Sequence, residues 1–362
     1  MPPINGAQTP APVPALYWSK AVTFGKSPPK ALRAHTVTVV GERLFVFGGC
    51  DARVCFHDLY IFDADTMYWS RPQTRGDLPR NCRAHSATLV GRQLFVFGGG
   101  DGPNYFNHLY LLDTGKRYSM LRGARCMRCL FICTCTDTLT WRLAQQKGDV
   151  PGPRRAHTTC YFDGYLYLFG GGDGVRALND VYRLNTRDLN NLEWTQLHPK
   201  GEPPIARGYH TATHVGSKLV VFGGSDGHEC FSDAHVLDLI TCTWCPLSLN
   251  EAIPRLSHTS TLVGSYLFVI GGHDGAKYCN DVLLLNLLSM SWERRRVYGR
   301  QPSGRGYHTC VLYDSRLFVY GGYDGQSVFD EVWILELSAS AYLPQIRGFE
   351  IAEVDGLAGD TT

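Results

Sequence analysis

The stretch that decides the fold runs from His85 to Asp113 and reads HSATLVGRQLFVFGGGDGPNYFNHLYLLD. It contains three short runs rich in aliphatic, aromatic and β-branched residues, separated by a Gly-Arg turn and by the pair Gly98-Gly99. A glycine pair directly after a strand lets the chain turn sharply and lets neighbouring backbone come close, because glycine has no Cβ. No part of the stretch has a helical period, so it predicts short β-strands joined by turns.

The same unit occurs six times along the chain. Each copy has a glycine pair, and the pairs begin at Gly48, Gly98, Gly170, Gly223, Gly271 and Gly321. A histidine precedes each pair: His35, His85, His157, His210, His258 and His308. After five of the pairs a tryptophan marks a fourth strand: Trp69, Trp141, Trp194, Trp244 and Trp292. Four strands per repeat, at a period near 50 residues for most copies, predict an all-β, six-bladed β-propeller.

The sixth copy has no tryptophan of its own for a fourth strand. The N-terminal part of the chain supplies a spare one, Trp18, in the segment YWSKAV. We expect this N-terminal strand to join the last blade and close the ring, because closure removes the unpaired edge that an open stack of blades would expose.

This order of elements resembles the kelch-repeat propellers of the galactose oxidase central-domain superfamily over residues 17–344. Among them the chain is most similar to fungal cell-polarity (tip-elongation-type) proteins and to leucine-zipper-like kelch adaptors. The resemblance implies a non-catalytic scaffold that docks a protein partner on its propeller loops, in cell polarity, small-GTPase signalling or substrate capture for ubiquitin ligation. Residues 1–16 are predicted to be a disordered Pro/Ala-rich tail and residues 345–362 a C-terminal tail.

Composition narrows the function classes. Lys and Arg total 35 against 33 Asp and Glu, a net charge of +2, which argues against nucleic acid as the main partner. No run approaches the ~18 apolar residues of a membrane span, and the start does not resemble a secretory signal, so no membrane insertion is expected. Thirteen cysteines without a framework spacing predict reduced thiols and a cytoplasmic location. The sequence leaves the oligomeric state open.

The interval between the second and third glycine pairs is longer than the others because of 22 extra residues, Gly115 to Thr136. Without these residues LLDT is followed directly by DTLTW, and the joined segment has the same length as the corresponding segment of the first repeat. The insert carries five basic and no acidic residues, and we hypothesise that it is a translated, retained intron. Its cysteines, which could suggest zinc, are crowded into ten residues without a histidine, so a zinc site is disfavoured: Cys126, Cys129, Cys133 and Cys135.

An enzymatic function is the main alternative. The six histidines obey the repeat, whereas catalytic or metal-ligating residues would be expected to break it, so we interpret them as ties between adjacent blades. A copper oxidase needs a set of Tyr, His and Cys ligands outside the repeat, and an iron-dependent specifier needs Glu-x-x-x-Asp-x-x-x-His; neither pattern is found. We therefore expect no catalytic residues, metal or cofactor. A metal-dependent (copper or iron) oxidase or specifier-type kelch enzyme remains the alternative, and a non-functional product is a third possibility if the insert disturbs the second blade.

Two sets of loops are the candidate partner-binding surface. The loops that lead into the histidines carry arginines: Arg33, Arg83, Arg154, Arg155, Arg207, Arg255 and Arg305. The loops between the second and third strands vary at Arg53, Tyr105, Arg176, His228, Lys277 and Tyr323. They keep an apolar residue, assigned to packing between blades, at Phe56, Phe106, Leu178, Phe231, Cys279 and Phe329. Arginines can bind an acidic peptide through bidentate carboxylate contacts. The alternative is that several of them pair with loop aspartates such as Asp226 or Asp274.

Overall fold

A computed structural model describes residues 15–115 and 139–337. Within these ranges the regular structure consists of β-strands, arranged as six blades around a central axis. The six-bladed propeller predicted from the repeats is therefore confirmed. Most of both predicted tails, the cysteine cluster and nearly all of the insert lie outside the described residues. The first strand begins at Leu16, one residue before the predicted start of the propeller.

Each blade is a sheet whose strands run antiparallel from the axis outward, and most blades have a short fifth strand parallel to the fourth. Blade 1 contains β3 (Thr36–Val40), β4 (Arg43–Phe47), β5 (Leu59–Asp63), β6 (Tyr68–Ser70) and β2 (Phe24–Gly25). Blade 2 contains β8 (Ser86–Val90), β9 (Gln93–Phe97), β12 (Leu109–Asp113), β13 (Leu139–Leu143) and β7 (Thr74–Gly76), with a small hairpin of β10 (Gly100–Asp101) and β11 (Asn104–Tyr105). Blade 3 contains β15 (Thr158–Phe162), β16 (Tyr165–Gly172), β17 (Ala177–Asn185), β18 (Leu192–Leu197) and β14 (Gln146–Gly148).

The other three blades follow the same plan. Blade 4 contains β20 (Thr211–Val215), β21 (Lys218–Phe222), β22 (Ala234–Asp238), β23 (Thr243–Leu247) and β19 (Lys200–Gly201). Blade 5 has four strands: β24 (Thr259–Val263), β25 (Tyr266–Ile270), β26 (Val282–Asn286) and β27 (Ser291–Glu293). Blade 6 contains β29 (Thr309–Tyr313), β30 (Arg316–Tyr320), β31 (Val332–Glu336), β1 (Leu16–Lys20) and β28 (Val297–Gly299).

The N-terminal strand closes the ring as predicted. Strand β1 runs antiparallel beside β31, with Trp18 opposite Leu335, and the Trp18 side chain is fully buried. The last blade thus combines residues from both ends of the described chain. This arrangement leaves no gap between blades 6 and 1, because their inner strands β29 and β3 are also in contact.

The hydrophobic core lies between adjacent blades, in six separate clusters. In four of them the residue directly before a glycine pair is a phenylalanine that packs against the tryptophan of the next blade. The ring centroids are 5.0 Å apart for Phe47 and Trp141 and 5.2 Å apart for Phe97 and Trp194. Such aromatic pairs add to the free energy gained by burying the two rings. The repeated tryptophan therefore joins one blade to the next.

Two rings of hydrogen bonds surround the axis. The residue before each histidine adopts a positive φ of 52–58° and donates its backbone N–H to the equivalent carbonyl of the neighbouring blade, at 2.8–3.1 Å. We call these six residues the axial belt: Ala34, Ala84, Ala156, Tyr209, Ser257 and Tyr307. Six bonds of this kind form a closed circle.

The histidines form the second ring. Each Nε2 is joined by a hydrogen bond of 2.9–3.3 Å to a Ser or Thr hydroxyl of an adjacent blade, for example His85 to Thr36 and His157 to Ser86. All six imidazoles are 5% exposed. The prediction that they tie adjacent blades together is confirmed.

The glycine pairs make this packing possible. A Cβ on Gly48 would lie 2.7 Å from the His85 ring of the next blade, and one on Gly49 would lie 2.7 Å from the Cβ of His35 in its own blade. Both contacts are far too short, so only glycine fits. The histidine and the glycine pair of each repeat are therefore parts of one joint.

Candidate protein-docking face

The two sets of candidate loops lie on the same face of the propeller. In each blade the residue two positions before the histidine pairs, through an antiparallel bridge or strand contact, with the residue that follows the glycine pair, as Arg33 does with Cys50 and Arg155 with Gly172. We call the side of the molecule formed by these two sets of loops the loop face. It surrounds one end of the central channel.

Four of the candidate arginines are buried inside the blades. These blade arginines, which lie three residues before a histidine, are 0–4% exposed: Arg154, Arg207, Arg255 and Arg305. This placement differs from the prediction that they present their charge to a partner. A guanidinium group enclosed in this way cannot reach a docked segment.

Each blade arginine is bound by groups of its own blade. Arg207 donates two hydrogen bonds to the Asp233 carboxylate, at 2.7 and 2.9 Å, and a third to the Gly223 carbonyl. Burial alone would raise the pKa of Asp233, but the hydrogen bonds and charge of Arg207 outweigh it, so this pKa is lowered. The equivalent acidic partners in the other three blades are Asp180, Asp281 and Glu331.

Apolar loop residues pack on the blade arginines. The guanidinium carbon of Arg305 lies 3.9 Å from the centre of the Phe329 ring, and that of Arg207 lies 4.5 Å from the Phe231 ring. The Phe231 carbonyl also accepts the backbone N–H of Arg255 in the next blade. In blades 4 and 6 the residue at this loop position thus covers a blade arginine, and Phe231 also joins blade 4 to blade 5.

The loop aspartates that were the alternative partners of these arginines accept backbone N–H groups of their own loops instead. Asp226 accepts the backbone N–H groups of His228 and Glu229, at 2.8 and 2.9 Å, and Asp274 does the same in the next blade. These carboxylates cap their own turns. The acids that neutralise the blade arginines lie directly before the third strand in blades 4, 5 and 6 and within β17 in blade 3.

Three arginines have a different position, at the mouth of the channel. These mouth arginines, Arg33, Arg83 and Arg155, lie two residues before a histidine and belong to the neighbouring blades 1, 2 and 3. Blades 4, 5 and 6 have Gly208, Leu256 and Gly306 at the same position. The positive charge is therefore concentrated on one half of the mouth.

The mouth arginines are held by aromatic rings and by uncharged acceptors. Arg33 lies over the Tyr323 ring at 4.4 Å, and Arg155 lies over the Tyr105 ring at 4.1 Å. Arg155 also donates to the Asn104 carbonyl at 2.8 Å and is only 8% exposed, whereas Arg33 and Arg83 are half-buried. Among residues 15–115 and 139–337, none of the three forms an ion pair with a carboxylate.

The other half of the mouth carries tyrosines. Tyr209 and Tyr307 occupy the axial-belt positions of blades 4 and 6, and their rings meet edge to face with centroids 5.4 Å apart. Burial, and then the neighbouring tyrosines, raise the pKa of Tyr307. These two residues were not among the candidates from sequence. Aligning the repeats at the residue before each histidine could have found them, because the other four blades have alanine or serine there.

A cavity of about 450 Å³ opens where the two halves of the mouth meet. Its walls include Arg155, Tyr209, Tyr307, Leu256 and Val175, of which Val175 is 93% exposed. This volume lies within the ~300–1,000 Å³ usual for ligand pockets. The combination of cation, phenol and aliphatic wall suits an extended peptide better than a purely apolar ligand.

The remaining candidates lie further from the axis. Arg53, Arg176, His228 and Lys277 are exposed at the loop tips, while Tyr105 and Tyr323 are half-buried against the mouth arginines. The structure thus brings the mouth arginines together with Tyr105 and Tyr323, and Arg176 lies with Arg155 in the wall of the 450 Å³ cavity. Arg53, His228 and Lys277 do not line this cavity.

Within the part of the chain that the structure describes, no group of three or more His, Cys, Asp or Glu side chains is arranged to hold a metal ion. The same residues include no helix long and apolar enough to cross a membrane.

Comparison with known proteins identifies the repeat. The model of the KLHDC2/KLHL20/DRC7 Kelch-repeats domain matches residues 13–127, 121–256 and 248–355. Similar proteins include the Rab9 effector protein with kelch motifs of Xenopus laevis, 28% identical over 225 residues, which are 60% of this chain and 55% of the relative. Acyl-CoA-binding domain-containing protein 5 of Arabidopsis thaliana is 26% identical over 229 residues, 63% of this chain and 33% of the relative.

Host cell factor 2 of Homo sapiens is also similar, with 26% identity over 300 residues that cover 64% of this chain and 37% of the relative. The matched regions therefore span about a third to somewhat more than half of these relatives.

Proposed function

This chain belongs to the kelch-repeat family, and we propose that it is a non-catalytic scaffold that docks an acidic segment of a partner protein at the channel mouth. The observation that carries the proposal is the set of mouth arginines, three neighbouring cations without a described carboxylate partner, beside a cavity lined by tyrosines. The name of one relative, Rab9 effector protein with kelch motifs, links such motifs to an effector of another protein, and this supports the scaffold part of the proposal.

The chemistry of the mouth favours a peptide with carboxylates. A guanidinium group can bind a carboxylate through two parallel N–H donors. Arg33 and Arg155 are stacked on tyrosine rings and so lose little conformational freedom when a ligand binds. Tyr209 and Tyr307 add large, rigid contact surfaces of the kind that is enriched in protein interfaces.

The blades themselves supply rigidity. The axial belt and the histidine ring fix the six loop-bearing segments relative to one another, so the mouth is formed before any partner arrives. A cytoplasmic location, and a role in cell polarity, small-GTPase signalling or substrate capture for ubiquitin ligation, are the settings we propose for it.

The test is a selection of random peptides displayed on phage against the purified protein. We expect peptides rich in Asp and Glu to be enriched. The variant Arg33→Glu/Arg83→Glu/Arg155→Glu should lose that enrichment, because it reverses the charge of the mouth.

The matched control is Lys26→Glu/Lys147→Glu/Lys200→Glu. It changes the net charge by the same amount on exposed lysines beside or within the outer strands of blades 1, 3 and 4. Selection of acidic peptides by the control variant and not by the mouth variant supports docking at the mouth. Equal selection by both variants would contradict it.

A further inference from the structure

Blade 1 carries two cysteines on facing positions of its loop hairpin. Asp51 donates its backbone N–H to the Val54 carbonyl at 3.1 Å, and Phe56 donates to the Gly49 carbonyl at 2.9 Å. Cys50 and Cys55 lie between these two bonds and form the non-hydrogen-bonded pair of the hairpin. In such pairs the Cα atoms are ~4.5 Å apart with both side chains on one side, which is within the range that a disulfide spans.

Both residues are free thiols, and they lie between two of the mouth arginines. The Cys50 backbone pairs with that of Arg33 through two hydrogen bonds of 2.9 and 3.0 Å. Its Sγ accepts a hydrogen bond from Nη1 of Arg83 at 3.8 Å. The Cys55 thiol donates to the Gly100 carbonyl at 3.9 Å, and Gly100 in turn pairs with the Arg83 backbone.

This environment favours a negative charge on one sulfur. The neighbouring Cys55 side chain, followed by the contact with Arg83 and the charges of Arg33 and Arg83, lowers the pKa of Cys50 despite burial, while the proximity of Cys50 and burial raise the pKa of Cys55. At the place of Cys55 in blade 4 stands Cys230, which faces Ser225, and burial raises its pKa to about 11. The cysteine pair of blade 1 is therefore chemically unlike the single cysteine of blade 4.

We propose that Cys50 and Cys55 are a site of reversible disulfide formation, with a low-molecular-weight disulfide as the oxidant, and that closing the bond releases Arg83 to bind the partner. The formation of the disulfide is independent of the proposed function. The effect of the disulfide on Arg83 and partner binding rests on the proposed function of the mouth.

The exchange proceeds in two balanced steps. Cys50 is 3% exposed, so the exchange starts when the loop hairpin opens. The Cys50 thiolate then attacks one sulfur of the small disulfide, so a mixed disulfide forms and the first small thiolate leaves. Cys55 then gives its proton to solvent and attacks Sγ of Cys50, and the second small thiolate leaves. Two protein thiols are oxidised, and the small disulfide takes up both electrons and departs as two thiols.

The consequence for the mouth follows from charge. In the reduced protein the Cys50 sulfur accepts a hydrogen bond from Nη1 of Arg83 at 3.8 Å and so engages this guanidinium group. A disulfide sulfur carries no charge and is only a weak acceptor. Oxidation therefore leaves the positive charge of Arg83 available at the mouth, and the oxidised protein should bind an acidic peptide more tightly than the reduced one.

The first experiment detects the bond. The full chain is incubated with oxidised or reduced glutathione, blocked with N-ethylmaleimide and digested with trypsin, which cuts after Arg53, between the two cysteines. We expect peptide 44–53 to be linked to peptide 54–75 after oxidation and released by dithiothreitol. Recovery of both cysteines alkylated, under conditions that oxidise other cysteines of the chain, would overturn the proposal.

The second experiment measures a fluorescein-labelled polyglutamate peptide binding to each redox form. Oxidation should raise its affinity about threefold to fivefold, the effect of one exposed ion pair, and the variants Cys50→Ser and Arg83→Gln should abolish the difference. A disulfide that forms without changing the affinity would overturn the regulatory half alone. If neither form binds the peptide, the proposed function fails while the disulfide result stands.

Discussion

Arg154 and Arg155 are neighbours in the chain, yet the structure places them in different environments. Arg154 points into blade 3, where it is 2% exposed and donates to both oxygens of Asp180 at 2.6 and 3.0 Å. Arg155 lies at the channel mouth, over the Tyr105 ring, and has no described carboxylate partner. The same contrast separates all four blade arginines from all three mouth arginines. The role of an arginine in this propeller is thus set by its distance from the histidine.

The physical reason for this contrast is the bend in the backbone directly after the two arginines. Ala156, the next residue, has a φ of 56° and belongs to the axial belt. Its backbone bonds fix the direction of the segment, so successive side chains point alternately into the blade and toward the axis. Inside the blade the buried arginine charge is offset by a carboxylate, whereas Arg155 at the mouth is held by the Tyr105 ring and by backbone carbonyls.

The largest expected effect is that of acid on the histidine ring, which lies beside both groups of arginines. Burial lowers the pKa of His35, His85, His210 and His308 to about 3, and those of the other two lie well below the usual 6.5. Since the folded values are depressed, the stability they contribute is full above pH 6.5 and is lost as the pH falls toward 3. Each histidine then costs about 1.4 kcal/mol per pH unit.

The measurement is urea unfolding followed by tryptophan fluorescence from pH 8 to 5. We expect the midpoint to fall steeply below about pH 6.5, the unfolded value for histidine. Substituting one imidazole, as in His258→Gln, should reduce the slope. A midpoint that is constant over this range would show that the histidines are not held neutral.

Removing a blade arginine should have the next largest effect. Arg207→Ala leaves Asp233 half-buried and without its partner, and we expect the free energy of unfolding to fall by about 3–5 kcal/mol. Arg83→Ala, at the mouth, should change it by less than about 1 kcal/mol. Thermal unfolding of the two variants side by side makes the comparison, and equal losses would remove the distinction between the two groups.

For the affinity of the acidic peptide we expect the reverse order, with a mouth arginine mattering more than a blade arginine. Arg83→Ala should weaken the polyglutamate peptide about fivefold in the oxidised protein, because one charge contact of about 1 kcal/mol is lost. The blade-arginine variant Arg305→Lys, measured at a temperature where it remains folded, should bind as the wild type does. Fluorescence anisotropy gives both affinities. Loss of affinity in the Arg305 variant alone would place the docking surface elsewhere on the loop face.

The smallest expected effect is a gain in affinity for the acidic peptide. Leu256 occupies in blade 5 the position of the mouth arginines and is half-buried at the edge of the cavity. Leu256→Arg should tighten the acidic peptide about threefold without a measurable change in stability, and Leu256→Glu should weaken it by a similar factor. The same anisotropy titration tests both, and matching affinities for the two variants would argue against an electrostatic mouth.

Most of the fold could be predicted from sequence, because the signals repeat. The spacing of the histidines, glycine pairs and tryptophans gives six blades, and the position of Trp18 gives the closure. Even beside the insert the pairing is regular, since Leu112 faces Trp141 as Phe62 faces Trp69 in blade 1. The origin of the insert stays a prediction.

The site was harder to predict because it depends on single-residue offsets. Sequence reasoning grouped Arg207 with Arg83, since both shortly precede a histidine, and the difference of one position decides which is buried. Tyr307 was missed because it stands beside an invariant feature of the repeat and resembles a spacer. The pairing of Cys50 with Cys55 depends on the register of a hairpin that has no signal beyond its Asp turn.

In the proposed function the positive charge of the mouth selects an acidic partner. A charge swap tests it most directly: polyglutamate and polylysine peptides are titrated into the wild type and into Arg33→Glu/Arg83→Glu/Arg155→Glu. We expect the wild type to bind polyglutamate and the variant, still folded by fluorescence, to bind polylysine instead. If both proteins retain the same preference, the mouth arginines do not form the docking site.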